Sequence, residues 1–406
     1  MPTTEQTELK KSRQADTILT HGGRDNDASK GAVNIPPFRA STVLFDDTKA
    51  VLDWDASFRQ FRYGRFGTPT SAALEDLYAE LEGADRAIAA SCGMSAISMA
   101  VSAFVSAGDH MLVTHGAYDP GVRFCTSFLN RFGVEAETFE PEIGADIEQL
   151  LRPNTRMIYL ESPSSMTFEV QDVPAIVETV KRYSEKNGHR ILTMLDNTWA
   201  TPLNYRPIEH GVDIVVQAAT KYIVGHADAM LGIVACSDED FMPIKNAAIS
   251  LGINAGSEEV YLGLRGLRTL SVRMERHFAS AMKIAEWLQQ RDEVANVLFP
   301  PLPGAPGHEL WKRDFSGGSS LMGIVLKAGY SRDAANAMLD GMELFGMGFS
   351  WGGYESLLIS GHEQRGRDSG KFSGDGPIMR LYAGLENADD LIADLDAGFE
   401  RLNTAA

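Results

Sequence analysis

ILTMLDNTWATPLNYRPIEHGVDIVVQAATKY, residues 191–222, holds the two strands around which the rest of the chain is read. Ile191–Leu195 and Val212–Val216 are short, apolar and partly β-branched, and polar residues bound both, which is the pattern of buried strands. The first run delivers Asp196 at its C-terminal end. The second delivers Thr220 and Lys221 just beyond its own. In an open parallel sheet, ligands bind outside the carboxyl ends of the strands. A carboxylate and a lysine 25 residues apart in sequence are therefore expected to face one pocket.

That pair suits pyridoxal phosphate. The cofactor needs a lysine amine for its Schiff base and an acid that keeps its pyridinium nitrogen protonated, so that the ring draws in the electrons of a broken Cα–H bond. Strand-end aspartates and lysines also occur in α/β proteins of many functions, so the rest of the chain has to support the reading.

Composition narrows the class. A chain of 406 residues with 44% hydrophobic and 23% charged content can bury a large core in one or two domains. The net charge of −18 argues against nucleic acid or an anionic membrane surface as a main partner. Cys92, Cys125 and Cys236 are scattered and odd in number, giving neither a disulfide framework nor a zinc pattern. The N-terminus has no apolar signal core and no membrane-length apolar run follows, so a cytoplasmic protein without a metal is expected.

In chain order, residues 1–62 form a polar arm that is expected to wrap over the body or a neighbouring subunit, with its first dozen residues disordered. Tyr63-Gly-Arg65-Phe-Gly-Thr-Pro is a glycine-broken loop that can present a hydroxyl and a guanidinium to one anion; a solvated loop is the plain alternative. Thr70 or Ser71 is expected to cap a helix over 72–81. After a short strand at Ile88–Ala90, the small-residue turn Ser91–Ser95 feeds a helix expected over 96–107, and the N–H groups exposed there are a weak signal for a phosphate site. No glycine-rich fingerprint accompanies the turn, and many strand–helix turns look alike.

Met111–Thr114 and Arg156–Leu160 read as strands, and Asp172–Tyr183 as a helix. Tyr118, just past the first of these strands, can stack on a flat ring or simply pack at the rim. This alternation implies a parallel sheet covered by helices on both faces. His226 and Asp228 are read as loop residues, since no ligand or nucleophile pattern accompanies them. One long helical pattern runs over 258–290, interrupted early by Gly263 and Gly266, and Pro300, Pro301, Pro303 and Pro306 mark a linker. A smaller α/β unit follows: a strand at Leu321–Leu326, a helix over 334–344, the loop Phe349–Ser356, a polar loop over 362–376, a strand at Ile378–Tyr382 bearing Arg380, and a final helix over 389–399.

Taken together, Ala218-Ala-Thr-Lys221-Tyr, Asp196-Asn-Thr-Trp, Tyr63-Gly-Arg65-Phe-Gly-Thr-Pro and Ser91-Cys-Gly-Met94 resemble the Cys/Met-metabolism family of pyridoxal phosphate enzymes. GAYDPGVRFC, GHELWKRDF, SWGGYES and LENADDLIADLDAGF carry the likeness to its carbon–sulfur β-lyase branch. The resemblance implies the fold-type I transferase-like architecture: a large domain, 63–257, with a mostly parallel seven-stranded sheet, and a linking helix plus smaller C-terminal α/β domain, 258–406. It also implies a role for each site residue. Lys221 would bond the cofactor and shuttle protons, Asp196 would pair with the ring nitrogen, and Tyr118 would stack on the ring. Gly93, Met94 and Thr220 would hold the phosphate, with Tyr63 and Arg65 reaching it from a neighbouring subunit of a homodimer or homotetramer. Arg380 would clamp the substrate α-carboxylate, with Ser350 and Trp351 nearby.

The implied reaction is β-elimination of L-cystathionine to homocysteine, pyruvate and ammonia. A γ-acting relative and a non-catalytic cofactor-binding protein are the alternatives. Two positions depart from the pattern: Ala218 where serine is common, and Phe349 where tyrosine is expected.

Overall fold

The computed structural model describes residues 13–53, 58, 60–361 and 376–406. The expected disorder of the first dozen residues, and nearly all of the loop over 362–376, lie outside the described residues.

Seven strands form the large sheet: β1 (Arg86–Ala90), β2 (His110–Thr114), β3 (Glu135–Phe139), β4 (Thr155–Glu161), β5 (Leu192–Asp196), β6 (Ile214–Gln217) and β7 (Gly232–Cys236), in the order β1-β7-β6-β5-β4-β2-β3. All neighbours from β6 to β3 pair in parallel, while β7 runs antiparallel to both β6 and β1. The mostly parallel seven-stranded sheet is thus present, with one reversed strand that alternation alone did not indicate.

Successive side chains of a strand point to opposite faces, and this chain uses both. Met157 and Tyr159 of β4, Met194 of β5, and Ile214 and Val216 of β6 pack beneath the helices Gly93–Ser102 and Asp238–Leu251. Ile158, Leu195 and Val215 face the other layer, with Leu74 and Leu77 of helix Pro69–Glu82 and Ile176 and Val180 of helix Val173–Asn187. Each such side chain contributes about 1.5–3 kcal/mol by burial. The same alternation sets the site, because Asp196 continues the Leu192–Met194 face at the end of β5.

Several boundaries differ from expectation. Thr68, not Thr70 or Ser71, caps the helix Pro69–Glu82: its side chain accepts from Ser71 N–H, and the Ser71 hydroxyl takes the Thr68 N–H. That reciprocal pair satisfies two of the end groups a helix leaves open. The next helix begins at Gly93 and ends at Ser102, so the tight turn is itself the first helical turn. The pattern over 258–290 is two helices, Ser257–Leu267 and Leu270–Leu288, broken at Arg268–Thr269 rather than at the glycines. Gly263 and Gly266 serve close packing: a Cβ on Gly266 would meet Ile223 O at 2.1 Å.

The C-terminal sheet has four antiparallel strands, β8 (Val294–Leu298), β9 (Leu321–Leu326), β10 (Leu357–Ser360) and β11 (Ile378–Tyr382), in the order β10-β11-β9-β8. β9 and β11 match the sequence reading. The helix expected over 334–344 is Arg332–Asp340, and the final helix is longer than expected, Ala388–Thr404. One apolar cluster runs from the large sheet into this one, joining Leu195 and Tyr222 to Leu321, Ile324 and Leu381. The described part of the arm starts with a helix, Ala15–His21, whose Ile18 and Leu19 are buried against the chain's own body. Farther along, Leu44 and Leu52 are 90% and 80% exposed. No described helix is long and apolar enough to cross a membrane.

Candidate active site

Lys221, Asp196, Tyr118, Gly93, Met94, Thr220, Arg380, Ser350 and Trp351 all line one cavity of about 390 Å³ at the carboxyl ends of the central strands. Tyr63 and Arg65 do not. Tyr63 is 41% exposed in a short bridge to Thr42, and the Arg65 guanidinium donates to Ile249 O at 2.7 Å.

Asp196 is the last residue of β5 and is buried. Thr198 folds back on it, donating to Oδ1 from its N–H at 2.9 Å and from its hydroxyl at 2.5 Å. The Thr198 hydroxyl in turn accepts from Ala218 N–H at 2.8 Å, which ties the end of β5 to the segment leading to the lysine. Both Thr198 bonds go to Oδ1, which leaves Oδ2 for a group in the cavity. Burial pushes the Asp196 carboxyl up to about 6, against the Thr198 hydrogen bonds and the Lys221 charge, which favour the carboxylate.

Lys221 sits in a turn after β6 that is clamped from below. The buried Arg273 guanidinium donates to Tyr222 O at 2.6 Å and to Gly266 O at 2.7 Å. The Tyr222 hydroxyl accepts from Ser320 N–H at 3.0 Å. Above the turn, Lys221 Nζ donates to Ser350 Oγ at 2.5 Å and lies 5.3 Å from the centre of the Trp351 ring. Burial, and then the Arg380 charge, lower the Lys221 amine to about 8, with Asp196 opposing. A lysine so poised is a usable base near neutral pH.

The third wall is the N-terminus of helix Gly93–Ser102. Cys92 and Ser95 cap it reciprocally, and the N–H groups of Gly93 and Met94 belong to the first turn, where no intrahelical acceptor exists. Glycine is required at 93 by the close approach of the segment just after β6, since a Cβ would meet Ala218 Cβ at 2.6 Å. Ala218 carries no hydroxyl, so where serine is common this position adds no side-chain hydrogen bond to the wall. Thr220 lines the cavity, yet its hydroxyl donates to Leu231 O at 3.1 Å and accepts from Leu231 N–H at 2.9 Å, so holding an anion requires that hydrogen to switch.

Tyr118 follows β2, half-exposed over the cavity. Its N–H donates to Glu161 Oε2 at 2.6 Å. Burial, then the neighbouring Cys92 and carboxylates, push its hydroxyl up, so it stays a neutral ring suited to stacking. Arg380 on β11 is buried, and its Nη2 donates to Ser350 O at 3.2 Å. Phe349 lies at the mouth and is 82% exposed. Sequence reading missed Thr198 and Glu161. The first was legible as a Thr two residues after a strand-end Asp, a turn-forming spacing. The second was legible as the terminal residue of β4. Among the described residues no group of three or more His, Cys, Asp or Glu side chains could hold a metal ion.

A buried carboxylate that lines the cavity and takes the Thr198 hydrogen bonds on one oxygen, a lysine of lowered basicity, an exposed aromatic face and a glycine-opened helix N-terminus are the donor set that pyridoxal phosphate requires. Fold and site together define a pyridoxal-phosphate-dependent α/β enzyme. The chain belongs to the Cys/Met metabolism PLP-dependent enzyme family, whose model matches residues 16–400. It is 42% identical to the cystathionine beta-lyase of Escherichia coli over 96% of this chain and 99% of that protein. It is 36% identical to the L-alanine/L-glutamate racemase of Wolbachia pipientis wMel over 95% of this chain and 96% of that protein. The crystal structure of cystathionine gamma synthase from Xanthomonas oryzae pv. oryzae in complex with aminoacrylate and cysteine superposes with a TM-score of 0.88, at 31% identity over 97% of this chain and all of that one.

The amine and carboxyl positions predict a pH dependence for cofactor capture. Only neutral Lys221 attacks an aldehyde, and its neutral fraction grows as pH rises through about 8. The rate at which cofactor-free protein takes up pyridoxal phosphate should therefore climb across about pH 8 and level off above it. A stopped-flow absorbance series checks this, and a flat profile contradicts it.

Proposed function

We propose that the chain cleaves L-cystathionine by β-elimination, releasing homocysteine, pyruvate and ammonia. The observation that carries the reading is that Ser350 joins the two groups the reaction needs: its hydroxyl accepts from Lys221 Nζ and its carbonyl accepts from Arg380. A base and a carboxylate clamp are thereby fixed relative to one another, opposite Asp196.

When bound, pyridoxal phosphate supplies an attachment point for the substrate amine and a ring that accepts the electron pair of the broken Cα–H bond. Asp196 would pair with the ring nitrogen and keep it protonated. The N–H groups of Gly93 and Met94 would hold the phosphate at the positive end of their helix. Tyr118 would cover the ring face. Arg380 takes the α-carboxylate in a two-pronged pair, which aims the Cα–H bond at Lys221 Nζ. That nitrogen accepts the Cα proton. The Cβ–S bond then breaks with its electron pair on sulfur as the pair from the Cα–H bond forms the Cα–Cβ double bond, and Lys221 returns a proton to the departing thiolate; the 2-aminoacrylate that is released takes up one water and gives pyruvate and ammonia.

The beta-lyase relative at 42% identity over nearly both whole chains supports β- over γ-cleavage. The gamma synthase structure keeps γ-chemistry as the second reading. Tyr63 and Arg65, which follow the arm, complete the phosphate site of a neighbouring subunit. That reading is supported by their absence from the lining of the chain's own cavity and by the exposure of Leu44 and Leu52 in the arm. Residues 1–62 then act as the inter-subunit arm, 63–257 as the cofactor domain and 258–406 as the substrate-clamping part. The assembly, a dimer or tetramer, works in the cytoplasm.

Arg380→Ala tests the clamp. Losing two charge-assisted hydrogen bonds, about 3 kcal/mol together, should raise the KM for L-cystathionine roughly 10²-fold, with kcat changed far less. Steady-state pyruvate release measures both constants, and an unchanged KM contradicts the assignment.

A further inference from the structure

Behind Lys221 lies a buried group that the chemistry above does not use. Tyr382, the last residue of β11, is buried and donates its hydroxyl to Gly353 O at 2.6 Å. Its ring packs 5.6 Å from His277 and 6.1 Å from Tyr222, and Tyr222 in turn lies 5.4 Å from Trp351. His277 is anchored through Nδ1 to Ala383 O at 3.1 Å. Lys221 and Tyr222 are adjacent in sequence, so this cluster backs the lysine turn directly.

Gly353 closes a segment whose shape is unusual at two positions. Ser350 has φ +79° and Gly352 has φ +88°. A non-glycine residue held at positive φ costs of order 1–3 kcal/mol and persists only where its surroundings impose it. At Gly352 the reason is contact: a Cβ there would lie 2.7 Å from the Cα and carbonyl carbon of Lys221. The segment thus lies against the lysine backbone while its Ser350 hydroxyl holds the lysine amine. Arg380 and Tyr382 are two residues apart on β11 and share one face of it. A single strand therefore carries both the carboxylate clamp and the tether of the segment that touches the base.

We propose that Tyr382 is a positioning residue for Lys221: its hydroxyl, through Gly353 O, holds residues 350–353 in the strained shape that places Ser350 on the lysine amine. The inference rests on the reading of Lys221 as the cofactor-bonding base. It assigns the hydroxyl a role in rate rather than in binding, since Arg380 keeps its own place on the strand.

Tyr382→Phe keeps the ring and its packing and removes only the hydroxyl. The cofactor-free variant should capture pyridoxal phosphate about tenfold more slowly than wild type, the change expected from one intramolecular hydrogen bond. In the loaded enzyme kcat should fall by a similar factor with KM for L-cystathionine unchanged. Tyr330→Phe is the matched control, because it removes a hydroxyl bonded to Asn403 Oδ1 at 2.7 Å away from the site, and it should leave both rates at wild-type values. Gly352→Ala loads the same segment from the other side and should also slow capture. Capture by Tyr382→Phe within twofold of wild type overturns the proposal. So does a variant that captures at the normal rate but with fewer competent sites, which marks a role in folding alone. If wild type captures cofactor but releases no pyruvate, the β-elimination reading fails while the capture comparison still decides the role of Tyr382.

Discussion

Lys221→Ala should lose essentially all turnover, by at least roughly 10³-fold, because one side chain performs the proton transfers at both Cα and sulfur. Its neighbours offer no replacement. Ser350 Oγ is only the acceptor of the lysine hydrogen bond, and the Tyr118 hydroxyl is held neutral by burial. The substitution leaves the turn intact, since Arg273 and Ser320 hold the backbone and ring of Tyr222 rather than the lysine side chain. The variant should therefore fold and bind the cofactor weakly without bonding it. Pyruvate release per bound cofactor measures the loss. Mixing Lys221→Ala with Arg65→Ala subunits then reads whether sites are shared, because hybrid dimers would regain one site with both groups. Turnover within tenfold of wild type would remove Lys221 from the mechanism.

Asp196→Asn should cost roughly 10²–10³-fold in kcat/KM. The amide keeps an oxygen for the two Thr198 hydrogen bonds but carries no charge to hold the ring nitrogen protonated. Breaking a buried charge pair by removing one partner costs about 3–5 kcal/mol. Stability moves the other way. Burial disfavours the charge and pushes the folded carboxyl up to about 6, above its ordinary value. Folding therefore gives up stability as pH rises from the ordinary carboxyl value through about 6, and that cost is complete at neutral pH. The amide escapes it, so the cofactor-free variant should melt no lower than wild type at neutral pH. Thermal unfolding beside steady-state kinetics separates the two effects. A large loss of stability accompanying the loss of rate would mean that Asp196 holds the fold rather than the cofactor.

How much of this was legible in the sequence follows from where each residue sits. Asp196 ends one short apolar run and Lys221 follows another after four residues, both runs with the pattern of buried strands, and strand ends in such a sheet open on one cavity. β9 and β11 were legible because LMGIVL and IMRLY are continuous apolar runs broken only by Gly323 and Arg380. β3 was missed because GLU-rich EAETF, an outer strand, exposes part of its surface and lacks an apolar run. The helix Asp238–Leu251 was missed because Pro243 sits inside it, a residue that ordinarily ends a helix. Its first turn nonetheless carries Asp238, Glu239 and Asp240, charges suited to that end. Ser350, Trp351 and Arg380 entered only through resemblance, since no local spacing joins them to a lysine more than a hundred residues earlier. The contact of Gly352 on Lys221 depends on how the C-terminal unit packs against the large sheet. Periodicity carries no record of that packing.

The most direct test of the central claim is to identify both products when the cofactor-loaded protein consumes L-cystathionine. Homocysteine together with pyruvate is the predicted result and places the cut between Cβ and sulfur. Cysteine together with 2-oxobutyrate would contradict it, placing the cut on the γ side with the same lysine, aspartate and arginine in use.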